Sequence, residues 1–264
     1  MKTRLLATFN FLSLVFHLTI SYLVQVKVIS SQDVGQVSLK YDTVFAPAGI
    51  TFSIWGLIYI ALIAFCIFHL YKAFAEPADS QTNQDTLSIG WLFTINSIST
   101  GLWLMAWVNE QLLLSVILIL VQLLTLIMIS VAANISNAKR SIRVRVFTHF
   151  PLSIYWAWIS IASIANISAW LKSTTWDAMG LSEPSWAIIL VAVSVVISLF
   201  VILFKGNISF GLVLMWALNG IVLKRKSIDP IEFELLINTA YTAMIIILIA
   251  LLVQVFKRNR LIKA

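Results

Sequence analysis

One apolar stretch carries more groups that could recognise a ligand than any other part of the chain. It runs from Trp158 to Trp170 and holds two indoles, one amide and three hydroxyls. On a helix Trp158, Ala162, Asn166 and Trp170 follow one another at a spacing of four, in a stripe that drifts slowly around the axis. Small residues let a flat ligand or another helix approach closely, while indoles stack and an amide hydrogen-bonds. The stripe therefore predicts either a tight helix–helix seam or the wall of a pocket.

The other residues that could take part in catalysis or metal binding give weak support for an enzyme. No Asp or Glu lies in the middle of an apolar run, and no group of His, Cys and Asp has the spacing of a metal site. We therefore predict no catalytic residues, no metal and no enzymatic activity. His17 lies within an apolar run and could ligate haem iron, but a hydrogen bond to a neighbouring side chain is the favoured interpretation.

Composition places the chain in a membrane. Of the 264 residues 60% are hydrophobic and only 11% are charged, and the mean hydropathy is +0.96. A soluble domain has roughly a quarter charged residues, so we predict an all-α integral membrane protein, a polytopic helical bundle. Apolar runs long enough to cross roughly 30 Å of hydrocarbon predict about eight transmembrane helices, near 5–26, 50–73, 87–108, 112–134, 146–170, 185–204, 207–223 and 233–257. Cys66, the single cysteine, falls in the second span as a small core residue.

The charges of the loops predict the orientation. With the N-terminus in the cytoplasm, twelve of the 18 Lys and Arg residues lie on the inner side, including Arg258, Arg260 and Lys263 near the C-terminus. This asymmetry fits the positive-inside rule, and the cluster 224–226 is its one local exception. We predict a multi-pass protein of the plasma (cytoplasmic) membrane with both termini cytoplasmic. We attribute the net charge of +7 mainly to this asymmetry and to contact with anionic lipid. The bilayer is therefore an expected partner, and nucleic acid is not.

Two further spans carry aromatic and polar residues on one face. In the second, Pro47 and Gly49 break the chain before the helix, and Trp55 and Tyr59 follow one turn apart. Trp55 alone fits an aromatic belt at the membrane surface equally well. The connection before this span, 28–48, is long enough to fold over a bundle as a lid, although a plain solvated loop is the default.

In the third span Asn96, Thr100, Trp103 and Trp107 share one face, because their spacing follows the helical repeat. A polar and aromatic face of this kind must point inward, since an unpaired amide in lipid is costly. For Asn96 a hydrogen bond between helices is favoured over contact with a ligand. For Trp103 both interpretations stay open.

Taken together, and in their order along the chain, these motifs resemble those of the TspO/MBR family of tryptophan-rich sensory proteins and translocator proteins. The residues that carry the resemblance are the Pro-x7-Trp-x3-Tyr set of Pro47, Trp55 and Tyr59, the third-span Trp103, and the fifth-span stretch from Trp158 to Trp170. Thr100 stands where the family usually has Asn, and Trp107 followed by Glu110 is similar to a longer branch with further helices. The resemblance covers roughly 1–172. It implies a TspO-like five-helix membrane core over 1–172 and an additional three-helix membrane region over 173–264.

The resemblance also implies a pocket near the first loop that binds flat or bulky apolar ligands, such as porphyrins and sterol-like molecules. Porphyrin or haem would then be a ligand rather than a resident cofactor. The residues assigned to ligand binding are Trp55, Tyr59, Trp103, Trp158, Ala162 and Asn166. Those assigned to structure and packing are Pro47, Gly49, Asn96, Thr100, Trp107 and Trp170. The family tends to pair through its helices, so a homodimer is expected, with Ala165 and Ala169 small enough for a close approach.

Three functions follow from these observations. The favoured one is a ligand-binding sensor or regulator of the TspO type. The alternative is a transporter or facilitator of a small apolar or amphipathic solute; the absence of a carboxylate within the spans argues against an ion-driven carrier but not against a facilitator. The third is light-dependent degradation of a bound porphyrin.

Overall fold

The computed structural model describes residues 1–263, with the side chains of residues 1–257. The side chains of Arg258, Arg260 and Lys263, on which part of the orientation prediction rests, lie outside the described residues. The helices are α1 (Lys2–Gln25), α2 (Val34–Lys40), α3 (Ile54–Ala75), α4 (Gln81–Ile89), α5 (Leu92–Val108), α6 (Leu112–Ala132), α7 (Ile142–Val144), α8 (Phe150–Ser173), α9 (Glu183–Lys205), α10 (Ile208–Ile228) and α11 (Glu234–Lys263). Short 3-10 turns at Gly49–Ser53 and Ala178–Gly180 precede α3 and α9, and a π-helical turn at Arg145–His149 joins α7 to α8.

The helices match the predicted spans in number. Seven helical segments are long and apolar enough to cross a membrane, and α4 with α5 makes an eighth if this bent pair is one span. The all-α polytopic prediction is therefore confirmed. The third span differs from the prediction of one helix near 87–108, because the chain bends by 53° between α4 and α5. Gly90 ends α4 with a φ of +56°, a backbone conformation that glycine adopts without strain.

The fifth span is one continuous helical segment, Ile142–Ser173, which contains the π-helical turn. Phe150 N–H bonds to the carbonyl of Arg145, five residues back, directly before Pro151. Proline has no N–H to donate, so the regular bond pattern is interrupted at this point. The interruption is absorbed by widening one turn, and the helix continues to the stripe that begins at Trp158.

Five helices form a closed ring. In order around the ring, α3 packs on α1, α1 on α5, α5 on α6, α6 on α8, and α8 returns to α3. The large exposed side chains of these helices are mostly apolar, mainly Leu, Ile, Val and Phe, whereas amides such as those of Asn96 and Asn166 are buried among the apolar residues of the core. This separation is what a membrane demands, because polar groups must find partners inside the bundle.

The C-terminal helices α9, α10 and α11 pack on one another and join the ring through α10, which lies against α8. A second contact links α10 to the 3-10 turn before α3: Ala48 N–H bonds to the Gly220 carbonyl at 3.0 Å, and Trp216 Nε1 donates to the Thr51 carbonyl at 2.9 Å. Gly220 makes this approach possible, since a Cβ there would lie 2.0 Å from Thr51 Oγ1.

We predict that Gly220→Ala destabilises the protein by about 1–3 kcal/mol, the usual cost of overpacking. Rotation of the Thr51 side chain does not relieve the clash, because its Cβ would also lie only 2.9 Å from the new methyl group. Thermal unfolding of the purified protein measures the effect. Gly56→Ala in α3 is the matched control, since no atom lies within 4 Å of its new Cβ; equal unfolding temperatures for the two variants would refute the close contact.

Candidate functional site, an aromatic cavity beneath the first loop

An aromatic cavity of about 60 Å³ lies inside the ring, at the end covered by residues 28–48. Its wall combines large rings with small residues and contains no Asp, Glu, Lys or Arg. The residues that line it include Val34, Tyr41, Pro47, Phe52, Trp55, Trp103, Trp107, Ile119, Trp158, Ile159, Ile161, Ala162, Ala165, Asn166 and Ala169. Such a wall suits a flat apolar molecule far better than an ion.

Five of the six residues assigned to ligand binding line this cavity; Tyr59 does not. Its ring lies behind Trp55, with the two ring centroids 5.3 Å apart, and its hydroxyl is 2.8 Å from Ser21 Oγ. Tyr59 therefore supports the Trp55 indole and ties α3 to α1. That the other five residues bind a ligand stays a prediction.

The predicted stripe on α8 occupies the wall only in part. Trp158, Ala162 and Asn166 line the cavity, but Trp170 lies outside it, and Ala165 and Ala169 take its place. On an α-helix Ala169 is only about 20° away from Trp158 around the axis, whereas Trp170 is about 120° away. Ala165 and Ala169 thus line a cavity of their own chain, and the expected homodimer stays a prediction.

The Asn166 amide is used within the protein. Trp103 Nε1 donates to its Oδ1 at 2.8 Å, and its Nδ2 donates to Ser115 Oγ at 2.8 Å. One side chain of α8 is thereby bonded to α5 and to α6. Asn166 and Trp103 consequently shape the cavity as a brace, and their polar atoms are already engaged.

Trp158 differs from them. Its side chain is 3% exposed, and its Nε1 has no hydrogen-bond partner among the residues that the structure describes. Its ring makes edge contacts with Phe52 and Trp55, at centroid distances of 5.9 and 6.3 Å. A buried N–H without an acceptor costs free energy on the order of 1–3 kcal/mol, and a ligand oxygen or nitrogen in the cavity would satisfy it.

The residues assigned to packing hold the helices around the cavity. Asn96 Nδ2 donates to the Gln122 carbonyl and to Thr125 Oγ1 on α6, at 3.0 and 2.9 Å. Thr100 Oγ1 donates to the Asn96 carbonyl at 2.8 Å and lies 2.7 Å from the Tyr155 hydroxyl on α8. Three others stand nearer the cavity or its entrance: Pro47 lines the wall, Gly49 begins the 3-10 turn, and Trp107 lines the wall with its ring 5.9 Å from that of Trp103.

Sequence reasoning missed several residues of the wall. Phe52 lies between the recognised Pro47 and Trp55, where the aromatic type was a usable signal. Ile119, Ile159 and Ile161 carry no such signal, because an isoleucine in a span has the same appearance whether it faces lipid or a cavity.

His17 does not behave as expected. It is fully buried, its ring centroid is 5.5 Å from that of Tyr59, and neither ring nitrogen has a hydrogen-bond partner within the described residues. The expected hydrogen bond to a neighbour is therefore wrong. His17 is also absent from the cavity wall, and among the described residues no three His, Cys, Asp or Glu side chains group as metal ligands would.

Residues 28–48, called the lid below, close the cavity. The short helix α2 inside the lid starts at a capping box, in which Asp33 and Gln36 exchange side-chain to backbone bonds. The lid is tied to the end of α5 by two hydrogen bonds from side chains to carbonyls: Ser30 Oγ donates to the Val108 carbonyl at 2.9 Å, and Trp107 Nε1 donates to the Val34 carbonyl at 3.1 Å. The lid interpretation of this loop thus holds, and the plain solvated loop does not.

Glu110, in the turn between α5 and α6, is the main polar anchor of the lid. It accepts hydrogen bonds from Lys40 Nζ at 2.7 Å, from the Tyr41 hydroxyl at 2.6 Å and from Gln32 Nε2 at 2.8 Å. These donors, Lys40 first, lower the pKa of Glu110 from 4.5 to about 2. The same contact raises the pKa of Lys40. Glu110 is thus ionised at every physiological pH.

A second anchor ties the lid to the later helices. Asp42 Oδ1 accepts a bond from Lys224 Nζ on α10 at 2.5 Å and lies 3.7 Å from Arg225 Nη2. The Asp42 carbonyl also accepts a bond from Lys172 Nζ at the end of α8, at 2.6 Å. The lid therefore spans the ring, with one anchor at the α5–α6 turn and another at α8 and α10.

Comparison with known proteins gives one match. A family model described as TSPO-like protein matches residues 7–253. The match extends beyond the 1–172 over which the resemblance was noted and includes most of the three later helices. No curated protein and no solved structure matches the chain.

We predict that Glu110→Gln opens the lid, because the amide loses the ion pair with Lys40 while keeping its shape. Hydrogen exchange of the amides in 34–41 should accelerate roughly two- to fivefold, the range that a partly exposed ion pair supports. Glu76→Gln is the control: Glu76 also pairs with a lysine, Lys72, but at the opposite end of the bundle. Equal acceleration in both variants would contradict the anchor.

The pH dependence of the lid follows from the same contact. A carboxylate with a lowered pKa stabilises the closed state above its ordinary value of 4.5, and this stabilisation is lost as the pH falls through about 2. We therefore expect exchange of the lid amides, corrected for intrinsic rates, to stay constant between about pH 8 and pH 5. Opening that begins within this window would show that another group governs the lid.

Proposed function

The chain belongs to the TSPO-like family, and on that basis we propose that it is a multi-pass membrane sensor or regulator that binds a flat or bulky apolar ligand, of the porphyrin or sterol-like type, in the aromatic cavity. The observation that carries this proposal is made at Trp158, which lines the cavity and whose buried N–H has no acceptor among the described residues. We propose binding and no catalysis, since the family is generally non-enzymatic.

The chemistry of the wall supports this ligand class. Indole faces at Trp55, Trp103 and Trp158 offer stacking surfaces, and the alanines at 162, 165 and 169 leave space in the wall beside Trp158 on α8. No charged side chain lines the cavity, so an ionic group of the ligand would have to stay at the lid. The expected ligand therefore has a planar apolar body, one acceptor that reaches Trp158, and any carboxylates at its outer edge.

The size of the cavity supports a sensing role. Its volume of about 60 Å³ is well below the roughly 300–1,000 Å³ of pockets that hold drug-sized ligands. A ligand of the proposed size must therefore displace the lid or separate the helices as it enters. Occupancy would then change the contacts of Glu110 and Asp42 at the protein surface, where a partner can detect them.

Facilitated transport of a small apolar or amphipathic solute is the alternative. It requires a path to the other end of the bundle, and the large groove at that end is lined by a separate set of residues. This separation is the reason for preferring a sensor. The third function, light-dependent porphyrin degradation, would produce a new chromophore whose formation Trp158→Phe abolishes while binding persists.

We predict that Trp158→Phe weakens binding of protoporphyrin IX by about five- to thirtyfold, because it removes one hydrogen-bond donor and keeps an aromatic face. Trp158→Leu, which also removes the stacking surface, should weaken binding further. Tryptophan quenching and the porphyrin absorbance shift, titrated on the full chain in lipid nanodiscs, measure both effects.

Trp91→Phe is the control for the loss of an indole, because Trp91 is 45% exposed and lies outside the cavity. It should bind as the unaltered protein does. Quenching that never saturates, or an affinity unchanged in Trp158→Leu, would mean that porphyrin merely partitions into lipid. Flux of the porphyrin across proteoliposome membranes that saturates over the same concentration range as its binding would instead favour the transporter.

We also predict that haem and metal-free protoporphyrin IX bind with affinities within about threefold of each other, since stacking and a single hydrogen bond do not depend on the metal. His17, the only intramembrane histidine outside the ends of the spans, is not in the cavity wall. Haem binding that is tenfold tighter, shows the absorbance of histidine-ligated iron and is lost in His17→Leu would overturn this prediction.

A further inference from the structure

A second cavity lies next to the aromatic cavity, at the lid end of the bundle. Its volume is about 250 Å³, and it is bounded by residues 43–45 of the lid, the end of α8 and the beginning of α9. Thr43 lines both cavities, and of two consecutive residues of α8, Ser168 lines the second cavity and Ala169 the aromatic one. The two cavities are therefore neighbours that share a wall at Thr43.

The shared wall is weakly held. Within the described part of the chain, the only hydrogen bond of Thr43 is the one that its carbonyl accepts from Ala46 N–H at 2.9 Å, inside the same turn. A movement of the Thr43 side chain consequently breaks no hydrogen bond to a helix. Joined at this point, the volumes of about 250 and 60 Å³ reach the lower end of the roughly 300–1,000 Å³ of pockets that hold drug-sized ligands.

The second cavity contains a cation, which the aromatic cavity lacks. Among the described residues of its wall, Lys172 and Glu183 are the only charged ones, and Lys172 Nζ lies 3.0 Å from Glu183 Oε1. Their side chains are 42% and 56% exposed, so water screens the attraction between them and the pair contributes little to stability. Another carboxylate can therefore replace Glu183 at Lys172 at small cost.

The other cations that contact the lid are differently placed. Lys40 pairs with Glu110, while Lys224 and Arg225 lie against Asp42. None of these three cations lines either cavity. An anionic group that leaves the aromatic cavity along the shared wall thus meets the lysine of the second cavity first.

Most of the remaining wall of the second cavity is apolar. Trp176 and Trp186 meet edge to face, with their ring centroids 5.0 Å apart, and Phe45, Leu171 and Leu190 line the space with them. Aromatic and aliphatic side chains of this kind suit the apolar body of a ligand. A ligand that extends in this direction therefore keeps apolar contacts along its body, with the lysine beside its outer edge.

We infer that a ligand of the aromatic cavity extends past Thr43 into the second cavity, where a carboxylate at its outer edge binds Lys172 in place of Glu183. The inference rests on the proposed function and deepens it, because it assigns an acidic group to the ligand and names the residue that selects for that group. Glu183 and Trp186 belong to α9, outside the five-helix ring. The later helices then contribute directly to the ligand site.

The test compares protoporphyrin IX, which carries propionate groups, with its dimethyl ester, which has the same ring and no acid. Both are titrated on the full chain in nanodiscs of phosphatidylcholine. We expect Lys172→Gln to weaken binding of the acid by about three- to tenfold, because a charge-assisted hydrogen bond is lost, and binding of the ester by less than about twofold. Glu183→Gln should strengthen binding of the acid by about two- to threefold, since the competing carboxylate is removed.

Lys27→Gln is the matched control, as it removes the same charge from an exposed position at the start of the lid, outside both cavities. It should change the affinity for the acid by less than about twofold, because an exposed charge contributes only screened attraction. Thr43→Trp, which fills the shared wall, should weaken binding of the acid and the ester alike. Unaltered binding in that variant, shown to be folded by thermal unfolding, would overturn the route.

The ester separates recognition of the acid from a merely structural role. A lysine that only held the lid, through its bond to the Asp42 carbonyl, would affect acid and ester equally. Equal losses in Lys172→Gln, or weaker binding of the acid in Glu183→Gln, would therefore overturn this inference. The proposed function would survive either result as long as Trp158→Leu still lowers the affinity, whereas an unchanged affinity in Trp158→Leu refutes the proposed function itself.

Discussion

The hydrogen bonds of Asn166 are the contacts on which the ring of helices depends. One amide on α8 receives the indole N–H of Trp103 on α5 and donates to Ser115 on α6. In a membrane the hydrophobic effect does not draw helices together, so buried polar contacts and close packing must set their arrangement. A shift of α8 by one residue would leave an amide, an indole and a hydroxyl unpaired in a medium without water, each at a cost of about 1–3 kcal/mol. The cavity exists because this arrangement keeps four indoles beside a row of alanines.

The same constraint separates residues whose polar atoms are used to shape the cavity from Trp158, whose N–H has no partner among the described residues. Asn166 and Trp103 bond to each other, Trp107 bonds to the lid, and Asn96 bonds to α6. Trp158 lines the wall, and its N–H has no acceptor in the part of the chain that the structure describes. A ligand acceptor at that position would gain a hydrogen bond without breaking one in the protein, which is the condition under which a single polar contact adds most to affinity.

The sequence predicted the fold class and part of the wall, for identifiable reasons. Periodic apolar runs mark spans, and an amide or an indole within a span must point inward, so Asn96, Trp103 and Trp158 were placed correctly inside the bundle. Trp170, which was assigned to packing, packs against the core and lies outside the wall, because a spacing of four drifts around the helix. Tyr59 was misplaced, because a residue one turn from a wall residue can lie behind it. The break at Gly90 was missed, since the polar segment before it has the length of an ordinary loop. The contacts of the lid were beyond prediction, because Glu110 meets Lys40 and Tyr41 only after residues far apart in sequence have been brought together.

The exception to the loop-charge rule finds a physical explanation in the lid. Lys224 and Arg225 form a basic cluster on the side that the loop charges predict to be the outer one, where such clusters are disfavoured, and both lie against Asp42. Neither is on the surface in the ordinary sense, since their side chains are 12% and 4% exposed. A basic cluster at this place is explained if the later helices hold the lid. The contact at Gly220 acts in the same direction, because it fixes the turn from which α3 begins. A five-helix ring alone would keep the Glu110 anchor and the bond from Lys172 but lose the Lys224 and Arg225 contacts. Of the three additional helices, α10 is thus in direct contact with the lid, so a movement of α10 would disturb the segment that covers Trp158.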